Sequence, residues 1–194
     1  MENISFRYAE EKDAALILGF IRELAEYENM SADVVATEEL LREWIFEKKK
    51  AEVIFALEDG REVGFALFFH NFSTFLGRAG LYLEDLYVKP EYRGKGYGKG
   101  LLKKLAQIAL ERKCGRLEWT CLDWNRPSID FYLSLDAKPM DEWTIYRLTG
   151  DSSKRLKTLL FACFFNSNCT CNSHTNHGVV TCADKTHHFN VSGN

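Results

Sequence analysis

The stretch "YLEDLYVKPEYRGKGYGKGLLKKLA", residues 82–106, decides how the rest of the chain is read. It opens as an apolar run interrupted by Glu84 and Asp85, passes Lys89 and Pro90, and reaches Gly94, Gly96, Gly98 and Gly100 interleaved with Arg93, Lys95 and Lys99. Leu101, Leu102, Leu105, Ile108 and Ala109 then repeat at helical spacing, leaving Lys103 and Lys104 to face water. The predicted order is strand, glycine-rich turn, amphipathic helix. Glycines permit close approach of the backbone, so successive N–H groups can point into one concavity that the positive end of the helix dipole completes. That arrangement suits a phosphate or pyrophosphate; by itself the run also fits a flexible basic turn. Two nucleotide loops are excluded by spacing. A Walker loop needs glycine and then lysine where Lys99 and Gly100 stand, and the dinucleotide fingerprint needs a third glycine where Lys99 or Leu101 stands.

Outward from this stretch, "ISFRYA" (4–9) alternates like a half-buried strand, and Asp13 is placed to cap a helix carrying Leu16, Ile17, Phe20, Ile21 and Leu24 to about Tyr27. Thr37 opens a second helix with Leu40, Leu41, Trp44 and Ile45. "AEVIFALE" and "EVGFALFFHNF" read as strands joined at Asp59 and Gly60, a strong hairpin signal. Beyond the glycine-rich helix, "GRLEWTCLD" reads as a strand, "NRPSIDFYLSL" as a short helix capped by Asn125, and "DEWTIYRL" (141–148) as a final strand. The fold class is therefore α/β, a mixed and largely antiparallel sheet with one parallel crossover.

The chain has 194 residues and net charge −3, enough for one sizeable core. Residues 1–150 carry 21 Lys and Arg against 26 Asp and Glu, an acidic balance that favours cationic partners over nucleic acid. No apolar run approaches the roughly 20 residues of a membrane span. The start "MENISFRYAEEKD" has neither the basic nor the apolar part of a secretory signal, so a cytoplasmic protein with reduced cysteines is expected. Composition changes near Gly150, because residues 160–194 hold only Asp184 and Lys185 as charges, yet four of the six Cys and four of the five His. The spacing of "CTCNSHTNHGVVTCADKTHH" (169–188) matches no standard zinc finger, and an extension without a core is expected over 153–194, disordered and without metal.

The central stretch, with Arg93, Gly96 and Gly98, resembles the acetyl-CoA signature of the GCN5-related N-acetyltransferases, an Arg or Gln followed by x-x-G-x-G or A. "RELAEYENM", "LEWTCLDWNRPSIDFY" and "EWTIYRLTGD" are similar to the diamine, polyamine and thialysine branch, and the similarity spans about residues 3–152. The resemblance implies a sheet flanked by helices on both faces, a catalytic domain over 1–152, acetyl-CoA as cosubstrate with no metal required, a small cationic amine as substrate, and a homodimer. It places the pyrophosphate loop on Arg93, Gly94, Lys95, Gly96, Tyr97, Gly98 and Lys99. A strand pairing with pantetheine falls on Leu86, Tyr87 and Val88, and later cofactor contacts fall on Asn125, Arg126, Pro127 and Ser128. Amine contacts fall on Tyr27, Glu28, Glu84, Asp85, Glu118, Trp119 and Thr120. Tyr132 matches the tyrosine that protonates the departing thiolate, and Glu84 the carboxylate that serves the amine.

The chemistry asks for these residue types. Acyl transfer from a thioester to an amine requires loss of the amine proton, stabilisation of an oxyanion and protonation of the leaving thiolate. An alkyl ammonium of pKa about 10.4 is nucleophilic in only about one molecule in a thousand at neutral pH, so a nearby carboxylate helps. Adjacent strand residues point to opposite faces, which sets Glu84 with Tyr82, Leu86 and Val88 and sets Asp85 with Leu83 and Tyr87; both reach one cleft only through a bulge. One or both acids could equally pair with a buried Arg or with backbone donors. By spacing Tyr132 reads as core, as do Tyr27, Trp119 and Trp124. Cys121 reads as a buried, inert thiol, since no His lies between His70 and His174 to activate it. The sequence thus points to an N-acetyltransferase for a small di- or polyamine or a thialysine- or ornithine-like amino acid. The alternatives are a protein lysine acetyltransferase and a non-catalytic acyl-CoA-binding module.

Overall fold

A computed structural model describes residues 4–165, with side chains described through residue 157. The chain divides into two compact units, Met1–Asp136 and Ala137–Asn194. In the first, strands β1 (Ser5–Tyr8), β2 (Glu52–Glu58), β3 (Arg61–Ser73), β4 (Arg78–Val88) and β5 (Leu117–Trp119) form one sheet in chain order. All neighbours are antiparallel except β4 and β5, which run parallel across the crossover helix α3 (Tyr97–Glu111). Asp59 (φ 50°) and Gly60 (φ 77°) turn β2 into β3, the left-handed pair that a two-residue hairpin requires.

The sheet is covered on both faces, which explains why Val53–Ala56 of β2 reads as a continuous apolar run and not an alternation. Helix α1 (Ala14–Tyr27) lays Ile17 and Phe20 on Phe55, Phe65 and Tyr87, with the Phe20 and Phe65 rings 5.2 Å apart. Helix α3 lays Leu101, Leu105 and Ile108 on Ile54, Ala66, Phe68, Leu81 and Leu83 of the other face. Thr37 caps α2 (Glu38–Leu41) as expected, its hydroxyl accepting from the Leu40 N–H at 3.3 Å, and a π-helical turn (Arg42–Glu47) continues that helix. Asp13 stands at the N-cap of α1, but its carboxylate turns back to the Glu10 N–H (2.7 Å) and the Arg7 guanidinium (2.6 and 3.0 Å). The charge-assisted bonds from Arg7 hold this carboxyl below its ordinary range and outcompete a neutral cap.

Helix α4 (Arg126–Leu133) follows β5 and ends the first unit's regular structure. The expected final strand is not formed: residues 141–148 lie in irregular backbone, with Trp143, Ile145 and Tyr146 exposed. Alternation marks a segment suited to a sheet, but a strand exists only where a neighbour supplies its ladder, and no strand pairs with this run among the described residues. Helix α5 (Gly150–Phe165) crosses the boundary expected at residue 152. The Cys- and His-rich run lies outside the described residues.

Candidate active site

The site begins with an irregularity in β4. Leu67 pairs with Asp85 but Phe68 pairs with Leu83, so Glu84 is an extra, bulged residue. Paired residues share a face, which puts Asp85 on the α1 side with Leu67, Tyr82 and Tyr87, while Leu83, Leu86 and Val88 keep to the α3 side. Glu84, following Leu83, turns to the same side as Asp85. The bulge that both acids needed is present, and it overturns the simple alternation that grouped Asp85 with Leu83 and Glu84 with Leu86. The same point ends the parallel ladder: β5 pairs with Leu81–Leu83, so among the described residues β4 is paired from Asp85 onward on its β3 side alone. Leu86, Tyr87 and Val88 therefore lie on a strand edge with no paired neighbour opposite β3 among the described residues.

At the end of that edge stands the glycine loop. Gly94 (φ 76°) and Gly96 (φ 93°) adopt left-handed backbone, and Gly96 is the N-cap of α3. The N–H groups of Gly94, Lys95 and Gly96 donate to no acceptor among the described residues, the condition for a backbone anion nest. Arg93 donates from Nε to the Val88 carbonyl (2.9 Å) and stacks on Tyr27 (4.7 Å) and Tyr87 (5.3 Å). Gly98 sits beside Val88 and Phe131, with room only for ordinary contact.

Opposite the loop, Asn125 caps α4 as expected. Its side-chain oxygen accepts from the Ser128 N–H (3.4 Å) and from the Tyr27 hydroxyl (3.1 Å). Tyr27 thus joins the end of α1, the loop arginine and the start of α4. Pro127 lies in the first turn, where its missing N–H costs nothing, and the exposed Arg126 pairs with Asp130 at 2.9 Å.

Between these walls two carboxylates converge. Burial, with Glu84 and Glu28 adding repulsion, pushes Asp85 from 3.8 up to about 7. Burial likewise raises Glu28. Neither acid has an ion-pair or hydrogen-bond partner among the described residues, nor does the exposed Glu84, so neither Asp85 nor Glu84 is paired with a buried Arg there. Tyr132, half-buried, lies within electrostatic reach of Cys121, Glu28 and Tyr27, and burial first, then those groups, push it up to about 12. Its ring rests on Trp119 at 5.1 Å. Burial raises the Cys121 thiol as well, in keeping with an inert neutral group.

The remaining expected contacts separate. Trp119 faces the α3 side and packs beneath Tyr132, away from the acids. Thr120 accepts from the Tyr82 hydroxyl at 3.5 Å on the α1 side. Glu118 is already engaged, accepting from Asn71 Nδ2 (2.7 Å) and lying 2.8 Å from Arg116 Nε in an ion pair not aligned as a hydrogen bond. Trp124, expected in the core, is 54% exposed and lies against Tyr27, because it belongs to the turn before the α4 cap. Among the described residues no group of three His, Cys, Asp or Glu is placed to hold a metal ion, and no helix is long and apolar enough to cross a membrane.

This geometry has known counterparts. The profile of the Acetyltransferase (GNAT) family matches residues 18–136, and the chain belongs to that family. It is 39% identical over 168 residues to the thialysine N-epsilon-acetyltransferase of Bos taurus, an alignment covering 80% of this chain and 98% of that protein. It is 42% identical over 103 residues to the L-ornithine N5-acetyltransferase of Arabidopsis thaliana, covering 53% of this chain and 45% of that one. Among solved structures, an integron cassette protein of V. cholerae superposes with TM-score 0.68 at 30% identity, over 81% of this chain and 99% of its own. The protein is an N-acetyltransferase, of a family whose cosubstrate is acetyl-CoA.

Proposed function

We propose that this enzyme transfers the acetyl group of acetyl-CoA to a primary amine of a small molecule with a second cationic group, such as a di- or polyamine or a thialysine- or ornithine-like amino acid. One observation carries the reading: Asp85 and Glu28, both raised by burial and both without a cationic partner among the described residues, lie within electrostatic reach of each other on the α1 side of β4, and Glu28 lies within that reach of Tyr132. A pair of desolvated carboxylates is stabilised by a cation, and a substrate with two positive charges supplies one for the pocket and an amine for the reaction. The names of the relatives, which act on thialysine and ornithine, support the same class.

In this mechanism the pyrophosphate rests on the N–H groups of Gly94–Gly98, with Arg93, Lys95 and Lys99 at the rim. The pantetheine arm lies along Leu86, Tyr87 and Val88, and free N–H groups on that edge polarise the thioester carbonyl. Asn125, Arg126, Pro127 and Ser128 border the arm from α4. Asp85 and Glu28 hold the substrate cation, while the exposed Glu84 accepts the proton of the attacking amine directly or through water. The amine attacks the thioester carbon in a ternary complex, and collapse of the tetrahedral intermediate breaks the C–S bond. Tyr132, protonated throughout the working pH range, donates its hydroxyl proton towards the departing sulfur. The catalytic unit over residues 1–152 and a cytoplasmic location, expected from the sequence, and a homodimer, implied by the family resemblance alone, belong to the same proposal.

The test is release of free thiol from acetyl-CoA in the presence of butylamine, 1,4-diaminobutane, spermidine, thialysine, ornithine and a lysine-containing peptide. Turnover with the small dications and little with butylamine or the peptide is expected. Preference for the peptide would move the enzyme to protein substrates, and absence of turnover with every amine would leave a binding module.

A further inference from the structure

The glycine loop poses a mechanical problem. A backbone nest binds an anion only if its N–H groups are left unbonded, so the loop cannot be held by its own backbone ladder. Gly94, Lys95 and Gly96 indeed donate to no acceptor among the described residues, and two of these three residues have the freest backbone available to a chain. Something outside the loop must hold its shape.

Glu58 is placed to do so. It is the last residue of β2, immediately before the Asp59–Gly60 turn, and it ends the row Ile54, Ala56, Glu58 on the α3 side of the sheet. One of its carboxylate oxygens accepts from the Tyr97 hydroxyl at 2.7 Å and from Lys95 Nζ at 3.3 Å. These two donors flank Gly96, one in the loop and one in the first turn of α3. Lys95 Nζ also lies 4.8 Å from the Tyr92 ring centroid, and the Tyr92 and Tyr97 rings meet edge-on at 6.3 Å. Tyr97 is 3% exposed, so its ring is an anchor and not a surface decoration. The carboxyl is lowered, first by Tyr97 and then by Lys95, and stays charged at neutral pH.

We infer that Glu58 is a positioning residue for the cofactor: the carboxylate ties the loop lysine and the first turn of α3 to the β2–β3 hairpin and so shapes the anion nest without occupying it. It rests on the acetyl-CoA reading above and deepens it. It touches neither the amine pocket nor Tyr132, so its influence falls on cofactor binding alone. Because Glu58 is itself an anion near the pyrophosphate site, the opposite role is physically definite: if it acted only by repulsion, removing it would tighten binding.

The experiment uses the full chain and calorimetric titration with CoA, with melting temperature and steady-state kinetics measured in parallel. Glu58→Ala is expected to raise the Kd for CoA and the KM for acetyl-CoA about tenfold, the scale of one charge-assisted hydrogen bond, with kcat and the amine KM within about twofold of the parent. Glu58→Gln keeps an oxygen for Tyr97 and loses the charge that holds Lys95, so it falls between the parent and Glu58→Ala. Tyr97→Phe moves the CoA Kd in the same direction. Unchanged or tighter CoA binding in both Glu58 variants overturns the inference, as does a rise in amine KM matching that for acetyl-CoA. If the parent protein itself fails to bind CoA, the acetyl-CoA reading falls and this inference with it; a parent that binds and variants that bind equally well defeat only the role of Glu58.

Discussion

Asp85→Asn should make the protein more stable and less selective at once. The rise of this carboxyl from 3.8 to about 7 corresponds to at most about 4 kcal/mol of disfavoured ionisation, at about 1.36 kcal/mol per pH unit. Asp85 is only half-buried and its surroundings relax, so we expect a gain of roughly 1–2 kcal/mol in the variant, or roughly 3–6 °C in Tm for a chain of this size. The sign follows from proton binding. Between about pH 4 and pH 7 the folded protein holds this proton and the unfolded chain does not, so the parent loses stability as pH rises through that window and bears the full cost above it. Asparagine cannot ionise, so the gain is absent near pH 4 and complete by pH 8. Thermal melts of both proteins at pH 5 and pH 8 read the difference directly. In the same variant kcat/KM for a diamine should fall by about tenfold or more, and the parent's rise in that ratio through pH 7 should disappear. A Tm at pH 8 equal to or below that of the parent, or a difference that does not change with pH, would refute an uncompensated carboxylate at this position.

Other perturbations separate the remaining roles. Tyr132→Phe keeps the ring against Trp119 and removes the hydroxyl, so kcat should fall roughly 100-fold with CoA binding little altered; parent-like turnover from pH 6 to 10 would make Tyr132 packing. Glu84→Gln should lower kcat for mono- and diamines alike, because an exposed proton acceptor serves either substrate, and a loss confined to diamines in initial-rate assays would assign it to cation binding instead. Gly96→Ala puts a side chain at φ 93°, which costs about 1–2 kcal/mol and should raise the Kd for CoA; unchanged affinity in the folded variant would remove the nest from cofactor binding.

The sequence carried the sheet, the two covering helices and the glycine loop because each rests on local signals: the Asp59–Gly60 turn, the period of Leu101, Leu105 and Ile108, and the caps Thr37 and Asn125. What it did not carry is set by events between elements. The bulge at Glu84 leaves no mark in composition, yet it moves Asp85 to the side of Glu28 and decides which acids meet. Nothing in the local pattern singles out Glu58; its link to Tyr97 and Lys95 depends on the register of a hairpin with a turn 37–39 residues away along the chain. Trp124 is apolar enough for a core, but the turn before α4 exposes it. The run 141–148 has the pattern of a strand without a described neighbour to pair with.

The most direct test of the central claim compares two substrates that present the same nucleophile and differ by one charge. Initial rates with saturating acetyl-CoA should be measured for 1,4-diaminobutane and butylamine, in the parent and in Asp85→Asn. If the Asp85–Glu28 pocket selects a second cation, the parent's kcat/KM should favour the diamine by at least about tenfold, the scale of one charge-assisted contact, and the variant should lose most of that preference. Equal efficiency for the two amines in the parent, or an undiminished preference in the variant, would contradict the account.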